Sequence, residues 1–84
     1  MGSRLDAIHR GYIIELKNYD WSKYSSYGGL INKFLEQANK YLSFVGSLIK
    51  DEHIKGVVFL FSSRPPDDIV KALEGVGIIV RWLQ

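Results

Sequence analysis

The chain predicts an α/β domain with a mixed sheet, its elements in the order strand, strand, helix, strand, helix, strand. Three observations lead there. Apolar residues alternate with polar ones on either side of a tight Arg10-Gly11 turn, a long middle segment carries apolar residues at helical spacing, and two β-branched runs near the C-terminus flank a short amphipathic stretch. A tight turn joins antiparallel strands whereas helical crossovers join parallel ones, so the two halves together imply a mixed sheet.

The first two strands are read in Arg4-Leu5-Asp6-Ala7-Ile8-His9 and Tyr12-Ile13-Ile14-Glu15-Leu16-Lys17. Side chains two apart on a strand share a face, so Ile14 and Leu16 point one way while Ile13, Glu15 and Lys17 point the other. This places a metal-capable carboxylate beside an ammonium group, an arrangement suited to phosphodiester chemistry. If Arg10 and Gly11 are the two loop residues, His9 pairs with Tyr12 and Asp6 falls opposite Glu15; a three-residue loop sets Asp6 opposite Ile14 instead. Opposed carboxylates destabilise a strand pair unless a cation lies between them, so the first register asks for a divalent metal, with Lys17 helping.

Asn18 to Gly29 is polar and rich in Ser, Tyr and Gly, a loop in which Asp20-Trp21-Ser22 offers a cap or turn. From Leu30 to Lys50 the residues Ile31, Phe34, Leu35, Ala38, Leu42, Val45 and Ile49 recur at steps of three and four, which predicts one amphipathic helix. Its polar face carries Asn32, Lys33, Glu36, Asn39, Lys40 and Ser43, with Gln37, Tyr41 and Phe44 on a flank. Asp51 to Lys55 reads as a polar connection, and Gly56-Val57-Val58-Phe59-Leu60-Phe61 as a central buried strand. Pro65-Pro66 and the acidic Asp67-Asp68 open a short helix through Ile69, Val70, Ala72 and Leu73 that stops at Gly75. Gly77 then introduces the last strand, Ile78 to Leu83.

Composition narrows the function classes. A length of 84 residues allows one domain at most. The absence of cysteine excludes disulfides, thiolate metal sites and cysteine nucleophiles, and His9 and His53 are too few for a zinc site. A formal charge of +2 is compatible with a polyanionic ligand. No stretch approaches the roughly 20 apolar residues that span a bilayer, so no membrane role is expected. Met1-Gly2-Ser3 reads as an expression scar, leaving residues 4–84 as the domain and suggesting that Arg4 onward was cut from a longer protein.

An Asp on one strand, Glu-x-Lys on the next, then a long helix and further strand-helix-strand units resembles the PD-(D/E)XK nuclease superfamily. The string Arg4-Leu5-Asp6, a short hairpin and Glu15-Leu16-Lys17-Asn18-Tyr19 is similar to nuclease domains of bacterial polymorphic and contact-dependent-inhibition toxins. The resemblance implies a restriction-endonuclease-like fold and a magnesium- or manganese-dependent endonuclease. Asp6 and Glu15 would be the metal ligands, the Leu16 carbonyl a further oxygen ligand, Lys17 the catalytic lysine, and Gln37 a contact to substrate or lysine. DNA is the first expected substrate, with tRNA or other RNA second. A toxin domain would act in the cytoplasm of a target cell and be guarded at home by an immunity protein. Leu5 stands where the family name has Pro, and the helix that opens the family core has no counterpart before Asp6. Either that helix was trimmed, or a partner or second copy supplies it, or this is a minimal version.

Each signal has a plainer reading. Glu-x-Lys alone is common on the solvent face of an amphipathic strand, where an ion pair is worth little. Asn18, Tyr19, Lys33 and Lys40 are candidate substrate contacts, yet lysines on a helix face are most often a solvated surface. Tyr19, Trp21, Tyr24 and Tyr27 either stack on bases or pin their loop to a small core, and the second is slightly favoured. The main rival to catalysis is a nucleic-acid- or protein-binding domain of the same fold that dimerises through an uncovered sheet face or a free strand edge.

Overall fold

The computed structural model describes residues 7–83. Asp6, and with it the proposed carboxylate opposite Glu15, lies outside the described residues, as does the Met1-Gly2-Ser3 segment. The fold is a mixed α/β domain: a four-stranded sheet in the order β1 (Ala7–His9), β2 (Tyr12–Lys17), β5 (Gly56–Phe61), β6 (Ile79–Trp82), with helices α1 (Gly28–Leu42) and α2 (Asp67–Gly75) packed on it. A separate two-stranded ribbon, β3 (Leu48–Ile49) with β4 (Glu52–His53), lies between α1 and β5.

The β1–β2 pair is antiparallel with His9 opposite Tyr12 and Ala7 opposite Ile14, the register of the two-residue loop. Arg10 and Gly11 both have positive φ, 53° and 86°, the primed turn that matches strand twist. Gly11 is required there twice over. A β-carbon would also stand 2.7 Å from the carbonyl oxygen of His53, because the Gly11 carbonyl accepts from the Lys55 amide and its own N–H donates to Glu52 at 2.8 Å. The β1–β2 turn is thereby clasped to β4 and to the head of β5.

β2 pairs with β5, and β5 with β6, in parallel, as the helical crossovers require. The successive crossovers step the same way across the sheet, and α1 and α2 pack against each other on one face. Burial alternates accordingly. Ile13, Glu15 and Lys17 of β2, Val57, Phe59 and Phe61 of β5 and Val80 of β6 are buried, with Phe34, Ala38, Ile69 and Leu73 of the helices closing over the apolar ones. The opposite face, Ile14 and Leu16, Val58 and Leu60, Ile79, Arg81 and Leu83, is only half-buried or exposed.

Two expectations need correction. The helix from Leu30 to Lys50 ends at Leu42: beyond it, bonds from Phe44 N–H to the Tyr41 carbonyl and from Ser47 N–H to the Phe44 carbonyl tighten the chain, and Gly46 turns at φ 88° to donate to Ile54. Val45, placed by periodicity on the buried face, is 42% exposed. The polar connection from Asp51 to Lys55 belongs in part to the β3–β4 ribbon, whose turn residues Lys50 and Asp51 adopt positive φ without a glycine. The element order is therefore strand, strand, helix, three strands, helix, strand, the expected series with one small ribbon inserted.

Candidate functional site

Glu15 and Lys17 are not on a solvent face. They are the buried charged residues of the described chain, 4% and 6% exposed, because the two-residue period of β2 aims both at α1. Two strand residues advance about 6.6 Å and four helix residues about 6 Å, so a pair two apart on β2 matches a pair four apart on α1. The matching pair is Gln37 and Tyr41. The Lys17 ammonium donates to Gln37 Oε1, and the Tyr41 hydroxyl donates to Glu15 Oε1 at 3.0 Å. Lys17 Nζ also lies 3.4 Å from Glu15 Oε2 and sits over the rings of Phe34 and Phe59, 5.0 and 5.2 Å from their centroids.

Desolvating an ion pair costs several kcal/mol per ion, which Coulomb attraction repays only with good geometry and further hydrogen bonds. Here each carboxylate oxygen has a donor, and the ammonium has a carboxylate, an amide oxygen and two ring faces. The pair is held in one arrangement, next to an open cleft of about 520 Å³ lined by Glu15, Leu16, Lys17, Asn18, Tyr19, Lys33 and Gln37. The cleft lies at the C-terminal end of β2, where the chain leaves a parallel strand for a loop, the usual position for a ligand in sheets of this kind.

The structure thus brings together Glu15, Leu16, Lys17, Gln37, Asn18, Tyr19 and Lys33. Asn18 is exposed and accepts from Ser62 Oγ at 2.9 Å, joining the ends of β2 and β5. Lys40 does not line the cleft; it is exposed on the last turn of α1. The aromatic loop is pinned: Tyr19 stacks on Trp21 at 5.4 Å and meets Phe34 edge-on, while Trp21 lies against Phe61. Tyr24 keeps 39% of its surface exposed. Asp20 caps the short 3-10 turn Trp21–Lys23 by accepting from the Ser22 N–H at 3.1 Å. His53 lies away from this site, with Arg10, Gly11, Glu52 and Lys55 around a hollow beside the β1–β2 turn.

Tyr41 is the member of the cluster that sequence reasoning passed over. The signal was present, since Gln37 and Tyr41 are four apart on one helical flank, but it acquires meaning only once that flank is laid against Glu15 and Lys17.

Among the described residues no group of three His, Cys, Asp or Glu side chains is placed to hold a metal ion. Glu15 is a hard oxygen donor, and among the described residues its Oε1 accepts from Tyr41 and its Oε2 faces Lys17. Magnesium keeps several waters and is commonly held through one or two carboxylates; among the described residues the cleft offers one, Glu15, already paired with Lys17.

What the fold defines is a class, a mixed α/β domain with a four-stranded sheet and two helices on one face. No family model matches the chain, and no curated protein or solved structure matches it either.

Proposed function

We propose that the domain is a divalent-metal-dependent nuclease of restriction-endonuclease-like fold, hydrolysing phosphodiester bonds at the cleft beside Glu15 and Lys17. The observation that carries this reading is the buried Glu15–Lys17 pair. A domain of this size gains little from burying charge where apolar side chains would pack at no desolvation cost. Glu15 and Asp6, the residue that precedes Ala7 of the hairpin, are the carboxylates that would hold magnesium or manganese, with the Leu16 carbonyl as a further oxygen ligand. The bound ion would supply Lewis-acid stabilisation of the phosphate and lower the pKa of a bound water. Lys17 supplies a fixed positive charge beside the attacked phosphate, held in place by Gln37 and the two phenylalanine rings. Gln37, with its oxygen committed to Lys17, keeps its NH2 group to donate to a phosphate oxygen.

Substrate contacts follow from the cleft wall. Lys33 lies on it, Asn18 and Tyr19 form its floor at the end of β2, and Lys40 stands seven residues beyond Lys33, about 10 Å along the helix. These groups meet backbone phosphates and carry no base code, so DNA is favoured over RNA only as the first substrate to try. The test is cleavage of plasmid DNA and total tRNA by the purified protein, with and without magnesium, beside Glu15→Gln. Magnesium-dependent cutting lost in the variant supports the reading; a folded wild-type protein that cuts neither substrate overturns it.

One observation favours a second reading, a binding domain that pairs with another chain. Among the described residues the sheet face away from the helices is uncovered and largely apolar, with Leu16 55% and Leu83 70% exposed and Arg81 beside Leu60. A second copy or an immunity protein seated there would remove that surface from water. Sedimentation showing a dimer that Leu83→Arg converts to monomer would support this use of the face.

A further inference from the structure

The loop between β2 and α1 carries Tyr19, Trp21, Tyr24 and Tyr27, and the fold does not use them alike. Tyr19, Trp21 and Tyr27 pack against the core, Trp21 against the rings of Tyr19, Tyr27 and Phe61, and Tyr19 against Phe34 as well. Tyr24 is different. Among the described residues its ring meets only that of Tyr19, 6.3 Å away and tilted by 46°, and 39% of its surface is exposed. Its backbone is nevertheless fixed, because the Tyr24 N–H donates to the Trp21 carbonyl at 3.2 Å and closes the 3-10 turn. An aromatic ring the core does not need is thus held next to Tyr19, a wall of the cleft.

The cleft has positive charge to spare. Glu15 and Lys17 offset each other, whereas Lys33, exposed on α1, forms no ion pair among the described residues. Lys33 and Gln37 are four apart on α1 and so share one flank. The spacing that sets Gln37 against Lys17 leads one step further to Lys33 and Tyr19, and both line the cleft. A phosphate there would meet the Lys33 ammonium and the Gln37 NH2 group directly. The cleft, about 520 Å³, is of the size that holds a small organic group.

We propose that the cleft and Tyr24 form a metal-independent site for single-stranded nucleic acid: a backbone phosphate lies against Lys33 and Gln37, and an adjacent base stacks on the Tyr24 ring. A base inside a duplex has both faces covered by its neighbours, so a stacking platform selects strands whose bases are free. The inference rests on the nuclease reading for phosphate as the ligand of the cleft, and adds to it the class of strand. A tyrosine that only shaped its loop would leave affinity for nucleic acid unchanged on substitution.

The experiment measures binding by fluorescence anisotropy in EDTA, which removes any metal. The labelled probes are a single-stranded DNA, the RNA of the same sequence, the DNA duplex, and a single strand with abasic sites in place of its bases. Wild type is compared with Tyr24→Ala, Tyr24→Phe, Lys33→Gln and, as a control, Lys71→Gln, an exposed lysine of α2 outside the cleft. Tyr24→Ala is expected to weaken binding of the intact DNA or RNA single strand by about 5- to 140-fold and to leave the duplex and the abasic strand within about twofold. Tyr24→Phe, which keeps the ring, is expected to bind as wild type. Lys33→Gln should weaken binding of intact and abasic single strands alike, and Lys71→Gln of neither. Wild-type affinity in a folded Tyr24→Ala protein overturns the inference, and so does a wild type that binds the abasic strand or the duplex as tightly as the intact single strand, a comparison that needs no variant. Magnesium-dependent cutting alongside either result leaves the nuclease reading standing. Base-dependent binding in EDTA by a protein that cuts neither plasmid DNA nor tRNA overturns that reading and supports the inference.

Discussion

At the scale of single residues, the buried ion pair makes opposite demands on stability and activity. Removing one partner of a buried pair leaves an uncompensated charge and costs about 3–5 kcal/mol, a large fraction of the roughly 4–13 kcal/mol expected of a domain this size. Lys17→Met is therefore expected to lower the melting temperature strongly, as read by circular dichroism. The double substitution Glu15→Leu with Lys17→Met removes both charges and is expected to melt at or above the wild-type temperature. A double variant as unstable as the single one would mean that the pair stabilises the fold itself. Which residues pair was half legible in the sequence. The strand period put Glu15 and Lys17 on one face and Gln37 was singled out, but whether that face meets water or a helix is a tertiary fact that alternation alone does not decide.

At the scale of elements, the hairpin was legible because its geometry is local. Arg10-Gly11 between alternating runs sets the turn, and the turn sets the register. Gly11→Ala is expected to destabilise by about 1–3 kcal/mol, lowering the melting temperature by about 4–24 °C, since a left-handed φ and the His53 carbonyl both oppose a β-carbon. An unchanged melting temperature would contradict the clasped-tip account. The end of α1 was not legible. Val45 and Ile49 continue the helical period, yet Gly46 and the i to i−3 bonds after Leu42 win over it. Val45→Lys is accordingly expected to change stability by less than about 0.5 kcal/mol, whereas the same change at a core position of α1 would cost several times that. The β3–β4 ribbon escaped because its strands are two residues each and its Lys50-Asp51 turn lacks the glycine that marks a two-residue hairpin.

At the scale of the whole molecule, one face of the sheet holds the core and the cluster while the other, among the described residues, is largely apolar and open. All-parallel sheets usually carry helices on both faces, whereas this mixed sheet carries its described helices on one. If a nucleic-acid strand runs along α1, Lys33→Ala and Lys40→Ala should each weaken binding across all sequences. Each should also reduce the slope of log affinity against log salt by about 0.7–0.9, measured by fluorescence anisotropy. Slopes that do not move would place the strand elsewhere. The central claim, that the buried pair exists for phosphodiester chemistry, is met most directly by magnesium-dependent cleavage in the wild type and in the folded Glu15→Leu, Lys17→Met double variant. The account predicts cutting by the first and none by the second at matched melting temperature. Equal cutting by both would contradict it.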